Sequence, residues 1–324
     1  MRLSSLLLLA LNITNISSSF SQGNPVFDSR NFEYCKRLTV AIGVIDSDTI
    51  TNKNQTKKII NNFRPIGSGL LSYTKIDTSI FYVIISAKHV FNEILNQKFS
   101  HVYIRLFWSD TLKTDEYQGL QIPLYEKDGD PNFFIHPNYN IDLGCLFISD
   151  RYLTDFFLKK VNESSQTVFP INSIRKPRLG DQVWIFGYPE HIENALQSEF
   201  SYCISTFKPG YITWIPNEKM QNKDLNHIML VESNATHGNS GGPVFSSDST
   251  NIILAGILVS GYKEKAFIFS PSSPKPLSDQ FSKGELYASV RSGVSIIENS
   301  NNILTLLNYV NKELNIRFKK NGSL

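Results

Sequence analysis

The chain has 324 residues, 41% of them hydrophobic and 19% charged, which describes a globular protein able to bury a core. A net charge of +3 is too small to found an interaction with nucleic acid or an anionic membrane. Three cysteines, Cys35, Cys145 and Cys203, allow at most one internal bridge and leave one thiol over.

Met1-Arg2 precedes Leu6-Leu7-Leu8-Leu9-Ala10-Leu11 and then small polar residues to Ser21. That is the pattern of a secretory signal over 1–21, and the apolar run falls well short of the ~20 residues a membrane span needs. A secreted protein without a membrane span is expected. The sequons at Asn54, Asn162 and Asn321 fit that route in a eukaryotic source.

Residues 22–34 are polar and read as extended, and Leu38 to Ile45 reads as the first strand. A polar loop follows to about residue 60. The apolar run Ile80 to Ile85 then delivers Ser86-Ala87-Lys88-His89. Period-two alternation marks Val102 to Trp108, with Ile104 and Leu106 opposite Tyr103 and Arg105, and marks Leu120, Ile122 and Leu124. Lys127 to Asp130 is a plain turn. In Ile135-His136-Pro137-Asn138-Tyr139-Asn140-Ile141-Asp142-Leu143, His136 reads as structural, while Asp142 opens an apolar strand where an acid needs a partner. Cys145 lies in that strand and reads as core, leaving Cys35 and Cys203 as the expected pair.

A polar stretch at Asn162 to Gln166 reads as a linker, giving two like-built halves over 22–165 and 166–298. The second half carries strands at Val183–Phe186, Tyr202–Phe207, Gly210–Trp214, Ile228–Val231, Asn251–Ser260, Lys265–Ser270 and Glu285–Val290. Residues 299–324 form a helix and tail, with a stripe of Ile303, Leu304, Leu306, Leu307, Val310 and Leu314 behind a Ser300 cap. Short strands with one late helix indicate an all-β protein.

The densest chemical signal is Thr236-His237-Gly238-Asn239-Ser240-Gly241-Gly242-Pro243-Val244. Glycines this close let a serine Oγ stand exposed beside free backbone N–H groups, as a nucleophile and its oxyanion require. Gly238-x-Ser240-x-Gly242 also fits the α/β-hydrolase elbow, but that arrangement needs a histidine after the serine, and none of the six histidines lies there.

With His89, Asp142 and Ser240 in that order, the chain resembles the trypsin/chymotrypsin-like serine proteases. Gly67-Ser68-Gly69, Leu179-Gly180-Asp181-Gln182-Val183 and Gly238 to Gly242 are more similar to Deg-type and glutamyl-type members than to digestive trypsins. The resemblance implies two six-stranded antiparallel β-barrels with a C-terminal α-helix, and a secreted endopeptidase that cuts protein or peptide substrates without a metal or organic cofactor. It makes His89, Asp142 and Ser240 catalytic and gives the oxyanion hole to the Gly238 and Ser240 amides. It puts Asn234, His237, Ser260, Gly261 and Tyr262 around the substrate pocket. Asn239 stands where many members carry the Asp that pairs with a new amino terminus, so activity without a zymogen cut is expected. A catalytically silent binding module on the same fold is the alternative. Oligomeric state is left open.

Overall fold

A computed structural model describes residues 29–51, 57–76, 79–105, 120–148, 169–170, 173–189, 205–216, 225–233, 235–236, 238–247, 251–267 and 287–321. Two antiparallel β assemblies and three helices fill it. Helix α1 (Ser29–Leu38) leads into β1 (Thr39–Thr51), β2 (Lys57–Ile76) and β3 (Ser79–Ser86). Helix α2 (Lys88–Asn96) follows, then β4 (His101–Arg105), β5 (Leu120–Pro123), β6 (Phe133–Ile135) and β7 (Gly144–Phe147). These seven strands pair in the order β5-β4-β1-β2-β3-β7-β6. The two end strands approach each other across the turn at 124–132, where Asn132 N donates to Leu124 O at 2.8 Å and Tyr125 bridges Pro131.

The second assembly is a closed barrel of six strands, β10-β13-β12-β11-β8-β9. Its members are β8 (Gln182–Gly187), β9 (Thr206–Trp214), β10 (Ile228–Glu232), β11 (Pro243–Ser247), β12 (Ile252–Phe267) and β13 (Tyr287–Asn299). Helix α3 (Ser300–Asn321) closes the described chain. The all-β expectation, with two antiparallel units and a terminal helix, holds; the first unit carries seven strands rather than six. No helix among the described residues is long and apolar enough to cross a membrane.

Each β unit has its own apolar interior, and a third cluster joins them. Val40, Ile42, Ile84 and Ile104 fill the first, and Val183, Ile212, Val231 and Ile297 the second. Between them Phe147, Phe186, Phe245, Leu306 and Val310 form one buried cluster, with Phe186 edge-on to Phe245 at 5.8 Å. The helical stripe supplies Ile303, Leu306, Leu307, Val310 and Leu314 to it, all buried, with Leu304 packed partly against it. A Leu-to-Ala change there loses transfer energy and leaves a cavity, about 2–5 kcal/mol.

Several local expectations differ from the structure. Residues 29–38 are helical rather than extended, because Cys35 and Leu38 turn inward on one face while Phe32 lies edge-on to Phe207 at 4.3 Å. The helix after His89 was not expected; Val90, Phe91 and Ile94, all buried, are spaced for one helical face. The α3 cap is Asn299, whose Oδ1 accepts from the amides of Asn301 at 3.0 Å and Asn302 at 3.3 Å, while Ser300 Oγ is buried with no partner among the described residues. Gly210–Trp214 is one end of the single strand β9, and the two runs expected after residue 251 are one long strand, β12. Arg105 is fully buried, its guanidinium 5.6 Å from the Phe63 ring centre. Cys35 is a buried free thiol rather than half of a bridge, and Cys203 lies outside the described residues. Cys145 is buried core, as expected, and desolvation pushes both described thiols up. The turn at 127–130 forms, with Asp130 N donating to Asp128 Oδ1. The proposed linker at 162–166, the 1–21 segment and the sequons at Asn54 and Asn162 fall outside the described residues.

Candidate active site

β3 ends at Ser86, and Ala87 leads straight into α2, so His89 stands in the first turn of a helix fixed by the buried Val90 and Phe91. Asp142 sits immediately before Leu143 and β7, which pairs with β3 so that Ser86 lies opposite Gly144. That register brings the aspartate back beside the histidine. Asp142 Oδ2 lies 2.6 Å from His89 Nδ1, and Oδ1 accepts the His89 backbone N–H at 3.0 Å. Lys88 pins the same loop: its Nζ donates to the carbonyls of Tyr139 at 2.6 Å and Ile141 at 3.1 Å.

Burial pushes the Asp142 carboxyl up, but the hydrogen bonds and charge of His89, with help from Lys88, outweigh it and hold the group below the usual carboxylate range. An ionised carboxylate can only accept, so the His89 ring donates from Nδ1 and Nε2 is left as its basic nitrogen. His136 holds the neighbouring turn: it is buried and its Nδ1 accepts from Asn138 N at 3.1 Å, a structural part as expected.

Ser240 comes to this pair through backbone. Its carbonyl accepts from Ser68 N at 2.7 Å, linking the serine loop to β2. A Cβ placed on Gly241 would collide with Ser86 Oγ and the Ser68 carbonyl and come within 3.0 Å of Ala87 N, two residues before His89. Gly241 also has φ +82°, a conformation that side chains strain. Only glycine therefore lets the loop lie against the end of β3. No hydrogen bond among the described residues joins Ser240 Oγ to the His89 ring.

The loop is also held from behind. Ser68 Oγ donates to the Gly238 carbonyl at 2.8 Å and accepts from Tyr188 N at 2.8 Å. Asn239 is buried, with its N–H bonded to Thr236 O and its Nδ2 to Thr236 Oγ1, both at 3.2 Å. The amides of Gly238 and Ser240, on either side, have no backbone acceptor among the described residues.

Of the pocket residues, Asn234 and His237 lie outside the described residues, as does the Tyr262 side chain. Ser260 is exposed on β12, and a Cβ on Gly261 would sit 4.0 Å from the Ala235 carbonyl, so these two segments run close together. The sequence reading missed Ser68, Lys88, His227 and Glu298. Glu298 Oε1 accepts the Asp142 N–H at 2.8 Å, and His227 Nδ1 lies 2.9 Å from Oε2. Ser68 could have been found in the Gly-Ser-Gly run already noted; the pairing of Glu298 with Asp142 spans 156 residues and has no local signature.

The family model described as Trypsin matches residues 80–270, which contain His89, Asp142 and Ser240. Among solved structures, the chain is similar to the MamO protease domain from Magnetospirillum magneticum in its apo form, at 12% identity and a TM-score of 0.44, over 85% of this chain and 97% of that one. It is also similar to an HtrA-type protease AlgW with a decapeptide, at 11% identity and a TM-score of 0.43, over 85% of this chain and 65% of that one. No curated protein sequence matches the chain at a comparable level.

Proposed function

Since the chain belongs to the trypsin family, we propose that it is a serine endopeptidase working through His89, Asp142 and Ser240. In this reading His89 Nε2 takes the Ser240 proton as Oγ attacks the scissile carbonyl. Asp142 keeps the ring oriented and stabilises the imidazolium, and the Gly238 and Ser240 amides receive the oxyanion. The proton then passes to the leaving amine, and water resolves the acyl-enzyme. The observation that carries the proposal is the double grip of Asp142 on His89, at 2.6 Å on the ring and 3.0 Å on the backbone.

Secretion and glycosylation are part of the proposal, supported by the leucine run at the start and the sequons. So is activity without a further cut. The nearest basic cut point, Lys36-Arg37, lies at the end of α1 between the fully buried Cys35 and Leu38, so a protease would have to unwind packed structure to reach it. Asn239 carries no charge to pair with a buried ammonium and is already bonded locally. A neutral position near Asn234 favours a neutral or apolar side chain before the scissile bond.

Profiling cleavage of a mixed peptide library with residues 23–324, alongside the Ser240→Ala variant, tests the proposal. Cutting that depends on Ser240, by an intact chain, supports it. An inert wild-type chain would favour the binding module, cutting only after a nick near Arg37 would overturn the activation reading, and a preference for Arg or Lys would overturn the pocket reading.

A further inference from the structure

Glu298 lies at the end of β13, where the strand runs into α3, and its side chain is 1% exposed. A carboxylate that deep is unfavourable unless donors answer it. Three do. The Asp142 N–H reaches Oε1 at 2.8 Å, His227 Nδ1 lies 3.0 and 2.9 Å from the two oxygens, and Asn302 Nδ2 reaches Oε2 at 3.0 Å. His227 is fixed in turn, since its carbonyl accepts from the Nδ2 groups of Asn299 at 2.9 Å and Asn302 at 3.0 Å.

A buried acid needed only for packing could take its donors from its own barrel. This one takes a backbone N–H from the opposite unit, and from the residue whose carboxylate holds His89. The loop carrying Asp142 is thereby gripped from two sides, by Lys88 through the carbonyls of Tyr139 and Ile141, and by Glu298 through the Asp142 amide. Without Glu298 the loop keeps its ties to the first unit, among them the bonds of Lys88 N to the Asp142 carbonyl at 3.2 Å and of His89 N to Asp142 Oδ1 at 3.0 Å, but loses the tie that the second unit makes to the Asp142 amide.

We propose that Glu298, clamped by His227 and Asn302, is a positioning residue that fixes the Asp142 backbone from the second barrel and so aims the Asp142 carboxylate at His89. The inference rests on the triad reading above. Gln at this position keeps an acceptor oxygen for the Asp142 amide; Ala does not.

The test compares kcat and KM of the full secreted chain with those of Glu298→Ala, Glu298→Gln and His227→Gln, each corrected for the folded fraction by near-UV circular dichroism. Ser240→Ala is run beside them. Glu298→Ala is expected to lower kcat about 10- to 100-fold with KM nearly unchanged, since small misplacements near a reacting group carry losses of that order. Glu298→Gln is expected to recover most of that loss, and His227→Gln, which loosens the carboxylate but leaves it in place, to lose about 3- to 10-fold on the same scale. A folded Glu298→Ala variant with wild-type kcat overturns the proposal. Should that variant fail to fold, an unchanged kcat in His227→Gln overturns it instead. If Ser240→Ala retains full activity, it is the triad reading that fails.

Discussion

Two histidine–carboxylate pairs of similar geometry lie on either side of the Asp142 amide. His89 meets Asp142 at 2.6 Å with side chains 43% and 29% exposed; His227 meets Glu298 at 2.9 Å with side chains 17% and 1% exposed. The distances alone would not tell them apart. Surroundings do. Burial pushes Asp142 up, but the hydrogen bonds and charge it receives outweigh that and leave it below the ordinary carboxylate range. For Glu298 burial dominates, and the carboxyl stays above its usual value despite its donors. The open pair lies within reach of solvent, whereas the closed pair is largely shut away from it and holds its neighbours. An ion pair read from distance alone does not reveal its role.

The sharpest way to break this comparison is to disable each histidine in turn. His89→Ala or Ser240→Ala should lower kcat by about 10⁴-fold or more, and the double variant should be scarcely worse, because the groups act as one unit. His227→Gln should stay within about tenfold of wild type. Steady-state kinetics on a peptide substrate check both; equal losses from the two histidines would erase the distinction.

Next in size is the loop that joins the serine to the open pair. Gly241→Ala puts a Cβ against Ser86 Oγ and the Ser68 carbonyl at φ +82°, so the loop must move or the chain must strain by about 1–3 kcal/mol. We expect kcat to fall about 100-fold with a measurable loss in thermal midpoint. A variant of wild-type activity would show that the serine loop tolerates displacement from the end of β3.

The smallest effects are on stability, and the two acids should differ in sign. The depressed carboxyl of Asp142 contributes stability above its unfolded value, and this is lost as pH falls through the folded one. Asp142→Asn should therefore lower the thermal midpoint at neutral pH by about 2–4 °C, the scale of ~1 kcal/mol here, with the gap closing on acidification. For Glu298 the raised carboxyl makes its charge a penalty above the folded value, and the penalty disappears as pH falls below the ordinary one. Glu298→Gln should gain on wild type at neutral pH and lose that advantage in acid. Midpoints measured from neutral pH to pH 3 would contradict the account if the two variants moved in the same direction.

What could be read from the sequence follows the range over which each feature is encoded. His89, Asp142 and Ser240 announce themselves in short local motifs, and the α3 stripe in its own periodicity. The closed pair does not: His227 and Glu298 stand 71 residues apart and meet only because β10 pairs with β13 in the register that sets Ile228 opposite Glu298. Helix α2 was legible in the spacing of Val90, Phe91 and Ile94, but the strand that delivers His89 masked it. Helix α1 was not, because its inward face is formed by Cys35, Leu38 and an aromatic contact to distant Phe207. The cap moved by one residue for a simple reason. Asn299 and Ser300 are both good caps and both buried, but it is Asn299 Oδ1 that reaches the amides of Asn301 and Asn302.

The central claim is that Ser240 is a nucleophile activated by His89, and a serine-reactive phosphonate probe addresses it most directly. The wild-type chain should take up one probe per molecule, located on Ser240 by peptide mass spectrometry, with labelling at least about 100-fold slower in His89→Ala. Labelling of the wild type at another residue, or none at all by a folded chain, would contradict the account.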